Sequence, residues 1–170
     1  FEKKFDAITC QYGIFFFSDT IKVLKNLKKH LKKNGSLAIS VHGEGDTVPF
    51  FTVIFDAVQK YIPDMMPPGT PNFDRFGNKK ALRKVVSDAN FKKIKVEEHC
   101  FFYKMDSFAD FWQNYLKYVA KPVREKINKL SKTQLKEVRE VAKQNSLPYT
   151  KKNGKLVFPW KVLILTAKSN

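Results

Sequence analysis

The sequence predicts an α/β protein with a parallel sheet, on three observations. The opening FEKKFDAITCQYGIFFFSDT reads as a strand, a turn and a helix start. The Asn34-Gly35 pair then stops that helix just ahead of a second short strand, Leu37 to Val41. A strongly apolar segment, Trp160 to Ala167, follows at the far end as a last strand. Strand, helix and strand in succession imply a parallel pair, because antiparallel neighbours need only a hairpin.

Phe5 to Thr9 alternates and then runs apolar, which suits a strand buried on both faces. Cys10 to Phe17 reads as a functional loop. Ser18 and Asp19 offer acceptors to the free amides of a helix with Ile21, Leu24, Leu27 and Leu31 on one face, and Lys22, Lys25, Lys28, Lys29, Lys32 and Lys33 on the other. After the second strand, His42-Gly43-Glu44-Gly45-Asp46 is a polar loop at a carboxyl strand end, the edge where open parallel sheets bind ligands. A helix is expected from Pro49 to Tyr61, with Phe51, Ile54, Phe55 and Val58 inward, and it ends before Pro63. The stretch from Pro63 to Asn78 carries Pro67-Pro68-Gly69-Thr70-Pro71 and is long enough to be a functional loop.

Asn78 caps a helix over Lys79 to Ala89, with Leu82, Val85 and Val86 inward, and Asn90 closes it. Ile94 to Tyr103 alternates as a strand. Asp106 or Ser107 then caps a helix bearing Phe108, Phe111, Trp112, Tyr115, Leu116 and Val119. That aromatic face has two readings: it packs onto the rest of the domain, or it lines an acceptor pocket. Pro122 is expected to break this helix, and a lysine-rich helix follows from Ser131 to Gln144. No internal repeat or low-complexity segment interrupts the pattern.

At 170 residues and 43% hydrophobic content, the chain is long enough to fold as one domain over 1–170. Its sixteen Phe call for an aromatic core. The formal charge of +16 invites a nucleic-acid reading, but the distribution speaks against it. Arg75, Arg83, Arg124 and Arg139 are the arginines and the other basic residues are Lys, whereas phosphate recognition favours the bidentate guanidinium. A solvated Lys-rich surface is the preferred reading, with an anionic substrate or a membrane surface as the alternatives. Cys10 and Cys100 make no disulfide framework, apolar runs are far below the roughly 20 residues of a span, and no signal-peptide pattern opens the chain. A soluble cytoplasmic protein is expected.

The segments FDAITCQYGIFFFSD, LKKHLKKNGSLAISVHG, PPGTPNFDRFGNKKALRKVVSDANFKKIKVEE and VFPWKVLILTAK together resemble the carboxyl-terminal half of a class I S-adenosylmethionine-dependent methyltransferase. The likeness is to the small-molecule type found in quinone biosynthesis, and it extends over nearly the whole chain. It implies a partial Rossmann-like sheet in which these segments supply the family's strands four, five, six and seven. The spatial order would be four, five, seven, six, with the last strand antiparallel, helices on both faces and 106–150 as a helical insertion. The family's first three strands and its Gly-rich cofactor loop have no counterpart, since no GxGxxG-like run occurs in the chain. The resemblance therefore implies S-adenosylmethionine-dependent methyl transfer to a small-molecule acceptor by the complete protein, with this chain inactive alone. The alternative is a methyltransferase-like binding or dimerisation module without cofactor.

By the same resemblance, Cys10, Gln11, Tyr12 and Gly13 form the loop beside the cofactor. Phe16 and Phe17, read as apolar residues, are expected only to anchor that loop in the core. A methyl acceptor that must lose a proton needs a base, and His42 and Glu44 lie at the right sheet edge for it. His42 stands where relatives commonly carry Trp, so it inherits no role: it is a loop-bonding residue, or it is a base or substrate ligand. Arg75 either holds its loop by pairing with Asp74 or Asp64, or meets an anionic acceptor group. Tyr103, Trp112 and Trp160 either line the acceptor pocket or fill the core. With one His per element and no Cys at ligand spacing, no metal is expected. The implied strand order leaves Phe5 to Thr9 as an apolar edge, which predicts a homodimer through that strand. It also sets Cys10 and Cys100 roughly 14 Å apart across the sheet, beyond the reach of about 7 Å that a disulfide allows.

Overall fold

A computed structural model describes residues 3–65, 69 and 72–169. Four strands, β1 (Phe5–Gln11), β2 (Leu31–His42), β3 (Lys92–Met105) and β4 (Leu156–Lys168), alternate with six helices, α1 (Thr20–Lys29), α2 (Pro49–Val58), α3 (Lys79–Asp88), α4 (Phe108–Tyr118), α5 (Lys121–Asn128) and α6 (Lys132–Ser146). The strands form one mixed sheet in the order β1-β2-β4-β3. β1 and β2 run parallel, and β4 runs antiparallel to β2. This is the order, and the antiparallel last strand, that the resemblance implies. Most of the Pro67-Pro68-Gly69-Thr70-Pro71 segment lies outside the described residues.

The chain divides into two compact units, one drawn from residues 1–47, 71–101 and 161–170 and the other from 48–70 and 102–160. In the first, Leu37, Ile39 and Val41 alternate inward along β2 and pack with Leu24, Leu82, Val86, Leu163 and Leu165. β1 takes the edge and is exposed over most of its length, with Ile8 and Cys10 only half-buried. The helix expected to run to Asn34-Gly35 ends earlier, at Lys29. Leu31 turns inward as the first residue of β2, opposite Phe5, so the chain is extended before the glycine is reached. The register then jumps from the Phe5–Leu31 pair to Ala7–Ser36, and residues 32–35 form a bulge. Asn34 holds its left-handed corner at φ 61°, a conformation Asn tolerates better than most. Ser169 ties this bulge down, donating to the Gly35 and Lys32 carbonyls.

α3 begins as expected: the Asn78 side chain accepts from the Ala81 amide, and Leu82, Val85 and Val86 are buried. In the second unit, Phe50, Ile54, Phe111, Trp112, Tyr115, Val138 and Phe158 build an aromatic core. The side chain of Asn145 in α6 donates to the Val53 carbonyl of α2 at 3.2 Å. Ser107, not Asp106, caps α4; Asp106 pairs with Lys155 at 2.8 Å. Pro122 does not break a helix but opens one, since the first turn of α5 needs no amide from it. Ser131 and Gln134 close a reciprocal capping box on α6. The helices of 106–150 all belong to this unit, together with α2.

Candidate functional site

The parallel pairing of β1 and β2 brings their carboxyl ends to one edge of the sheet, where three loops of the first unit meet. The first follows β1. Its direction changes at Tyr12, which is left-handed at φ 49° while its amide donates to the Ser40 carbonyl at 2.9 Å. Gly13 is not the left-handed residue. It serves clearance instead, because a Cβ there would come within 3.1 Å of Cys10 Sγ. Burial raises the Cys10 thiol pKa above its ordinary value. Gln11 is exposed. The loop is anchored by Ile14 and Phe15, which are buried, whereas Phe16 and Phe17, expected as anchors, are 57% and 43% exposed.

The second loop follows β2. His42 is only 8% exposed and its ring packs on Phe15 at 5.2 Å. Nδ1 lies 2.8 Å from the Gly43 carbonyl, which can only accept, so Nδ1 donates to it. Asp74 Oδ1 sits 3.7 Å from Nδ1. Glu44 is exposed, and its carboxylate accepts from the Asn78 amide group at 2.8 Å.

The third loop, the turn Phe73–Phe76 with Gly77 and Asn78, joins the other two. Asp74 accepts from the Gly45 amide at 3.1 Å. Gly77 packs backbone against backbone, since a Cβ on it would stand 2.6 Å from the Glu44 nitrogen. Arg75 pairs with neither Asp74 nor Asp64. Its Nη2 donates to the Phe15 carbonyl at 3.0 Å, to Thr20 Oγ1 at 2.9 Å and to the Phe17 carbonyl, and its guanidinium lies over the Phe76 ring at 4.7 Å. One arginine nitrogen thus holds the loop after β1 by its backbone, while the guanidinium lies on the Phe76 ring, a contact that suits its planar group better than a lysine's ammonium.

The structure thus brings Cys10, Gln11, Tyr12, Gly13, His42, Glu44 and Arg75 into one neighbourhood of the first unit. Tyr103, Trp112 and Trp160 belong to the second. Trp112 is buried in that unit's core, while Tyr103 and Trp160 gather around Phe50 at ring distances of 5.2 and 5.5 Å. Sequence reasoning overlooked Phe15 and Gly77 and named Asp74 only as a partner for Arg75. The signal for Asp74 and Gly77 was the density of Asn, Asp and Gly in NFDRFGN; Phe15 had none that set it apart from Phe16 and Phe17. Among the described residues no three His, Cys, Asp or Glu are placed to hold a metal ion, both cysteines are free thiols, and no helix is long and apolar enough to cross a membrane.

The strand order and the edge loops define an α/β fold with a sheet-edge site. No family model and no curated protein matches the sequence. Among solved structures, the chain is similar to a putative methyltransferase from Bacillus halodurans at 16% identity and a TM-score of 0.49, covering 98% of this chain and 65% of that one. It is similar to the YcgJ protein of Bacillus subtilis at 16% identity and a TM-score of 0.47, with 98% and 64% covered. A third likeness, at 16% identity and a TM-score of 0.45, is to a phosphoethanolamine N-methyltransferase of Haemonchus contortus in complex with phosphomonomethylethanolamine and S-adenosylhomocysteine, covering 99% of this chain and 34% of that one. The chain thus spans less than two thirds of the length of each of these structures. None reaches a TM-score of 0.5, and the functional reading rests on the chain's own strand order and loops.

Proposed function

We propose that this chain is the carboxyl-terminal part of a class I methyltransferase that, when complete, transfers a methyl group from S-adenosylmethionine to a small-molecule acceptor. The observation that carries the reading is the order β1-β2-β4-β3 with β4 antiparallel to β2, the arrangement that the sequence resemblance implies. The loop after β1 suits one wall of the cofactor site: Gln11 presents an exposed amide, and the left-handed turn at Tyr12 bends the backbone away at the strand's end. Bound there, S-adenosylmethionine supplies an electrophilic methyl group. Arg75 holds the loop in register, and His42, or Glu44 through its exposed carboxylate, takes the acceptor's proton.

The missing Gly-rich loop makes the chain's own site incomplete, so S-adenosylhomocysteine titrated calorimetrically into the 170 residues should bind at millimolar strength, at or below what calorimetry detects. A form extended at the amino end should bind at micromolar strength. If the extended form also fails, the second reading takes over: a binding or dimerisation module without cofactor, favoured by the exposed β1 edge. Either way the protein is expected to form a homodimer through β1, read by light scattering.

A further inference from the structure

The strongest feature that the methyl-transfer reading leaves unused lies along α1. Lys22, Lys25 and Lys29 are exposed at the i, i+3, i+7 spacing of one helix face. With Phe17, Ile21, Val23 and Asn26 they line a single open depression of about 810 Å³. The one acid there, Asp19, is committed to the helix start, accepting from the Lys22 amide. Among the described residues none of the three lysines has an ion-pair partner, whereas Lys28, on the same helix, turns inward to the Asn90 carbonyl at 2.7 Å and the face of Phe91. At the helix's amino end, Phe16 and Phe17 are exposed because the backbone there is held from behind. Arg75 and Thr20 both donate to the Phe17 carbonyl while Ile14 and Phe15 are drawn into the core.

We propose that this face of α1, with Phe16 and Phe17, docks on a membrane surface rich in anionic lipid. A positive stripe beside exposed aromatics matches the two layers of such a surface: lysines meet the phosphates, and the phenyl rings and half-buried Ile21 and Val23 meet the acyl boundary. Single-stranded nucleic acid would use the same lysines and stack on Phe16 or Phe17, but the aliphatic Ile21 and Val23 among the lysines suit an acyl boundary and not bases. The surface stands apart from the methyl-transfer reading and holds or falls without it.

The test is vesicle co-sedimentation of the whole chain. Binding is expected to vesicles containing about 30% phosphatidylserine, and to be at least tenfold weaker to pure phosphatidylcholine. Lys22→Glu, Lys25→Glu and Lys29→Glu together should weaken binding on the order of 100-fold or more, and Phe16→Ser with Phe17→Ser about tenfold. All five positions are exposed, so circular dichroism should match the parent for both variants. Parent-like binding by the lysine variant would overturn the proposal. So would parent-like binding by the phenylalanine variant, which would reduce the surface to unspecific charge. Tighter binding of a single-stranded RNA oligomer than of the vesicles, lost in the lysine variant, would overturn it in favour of nucleic acid.

Discussion

β1 and the part of β4 in the same unit carry similar apolar patterns and meet opposite fates. In β4, Leu163 and Leu165 are fully buried, because the strand lies between β2 and β3 and its inward face meets the core of the first unit. In β1, only β2 stands alongside, and Ile8 and Cys10 stop at half burial. Apolar content therefore did not decide burial; the number of flanking strands did. The exposed strand is also the one whose following loop offers the candidate chemistry. That loop needs fixing from elsewhere, which is what Arg75 provides.

The largest test of this contrast is a pair of truncations. Leu163→Ala should cost about 2–5 kcal/mol in urea unfolding, the range for a buried leucine, while Ile8→Ala should cost under about 1.5 kcal/mol. Equal costs would mean that β1 is covered in solution. Arg75→Met should remove about 2 kcal/mol by stripping charged donors from two carbonyls and a hydroxyl, and hydrogen exchange of residues 13–17 should speed up. Arg75→Lys should restore little of either. Thr9→Lys, on the exposed side of β1, should change stability by less than about 0.5 kcal/mol yet shift light scattering towards monomer, because a charged edge resists pairing. A dimer that persists would place the contact elsewhere.

The smallest effect concerns Cys10. Its folded pKa is raised by burial, so the folded state keeps the proton where the unfolded chain has released it. The stability this contributes is complete below the ordinary thiol pKa and is lost as pH rises through and beyond it. Unfolding measured from neutral to strongly alkaline pH should show that slope in the parent and a flatter one in Cys10→Ser. Alkylation should reach the exposed Cys100 well before Cys10.

Local signals were legible where they are written in a few adjacent residues, as in Asn78 capping α3 and the start of α6 after Ser131, whereas the strand order came from the resemblance that four segments carry and from no local pattern. The helix end at Lys29 was not, because Leu31 pairing with Phe5 across the sheet overrode the Asn34-Gly35 stop. Pro122 was misread because a proline that ends one helix and one that begins the next look alike in sequence. The cross-links of the candidate site escaped for a related reason. Arg75 reaches Phe15 across 60 residues and Asp74 reaches Gly45 across 29, and no local pattern records such pairings. Which of Ile14, Phe15, Phe16 and Phe17 turn inward follows from that clamp and not from their hydrophobicity.

The central claim, that the loop after β1 is a cofactor wall lacking its opposite half, is tested most directly by nuclear magnetic resonance titration of S-adenosylhomocysteine into the 170-residue chain. The account expects weak, millimolar binding with shifted amides concentrated at Gln11, Tyr12, Gly13 and Glu44, and little change around Phe50 and Phe111. Shifts that gather in the aromatic core of the second unit, or none in residues 10–17 at saturating ligand, would contradict it.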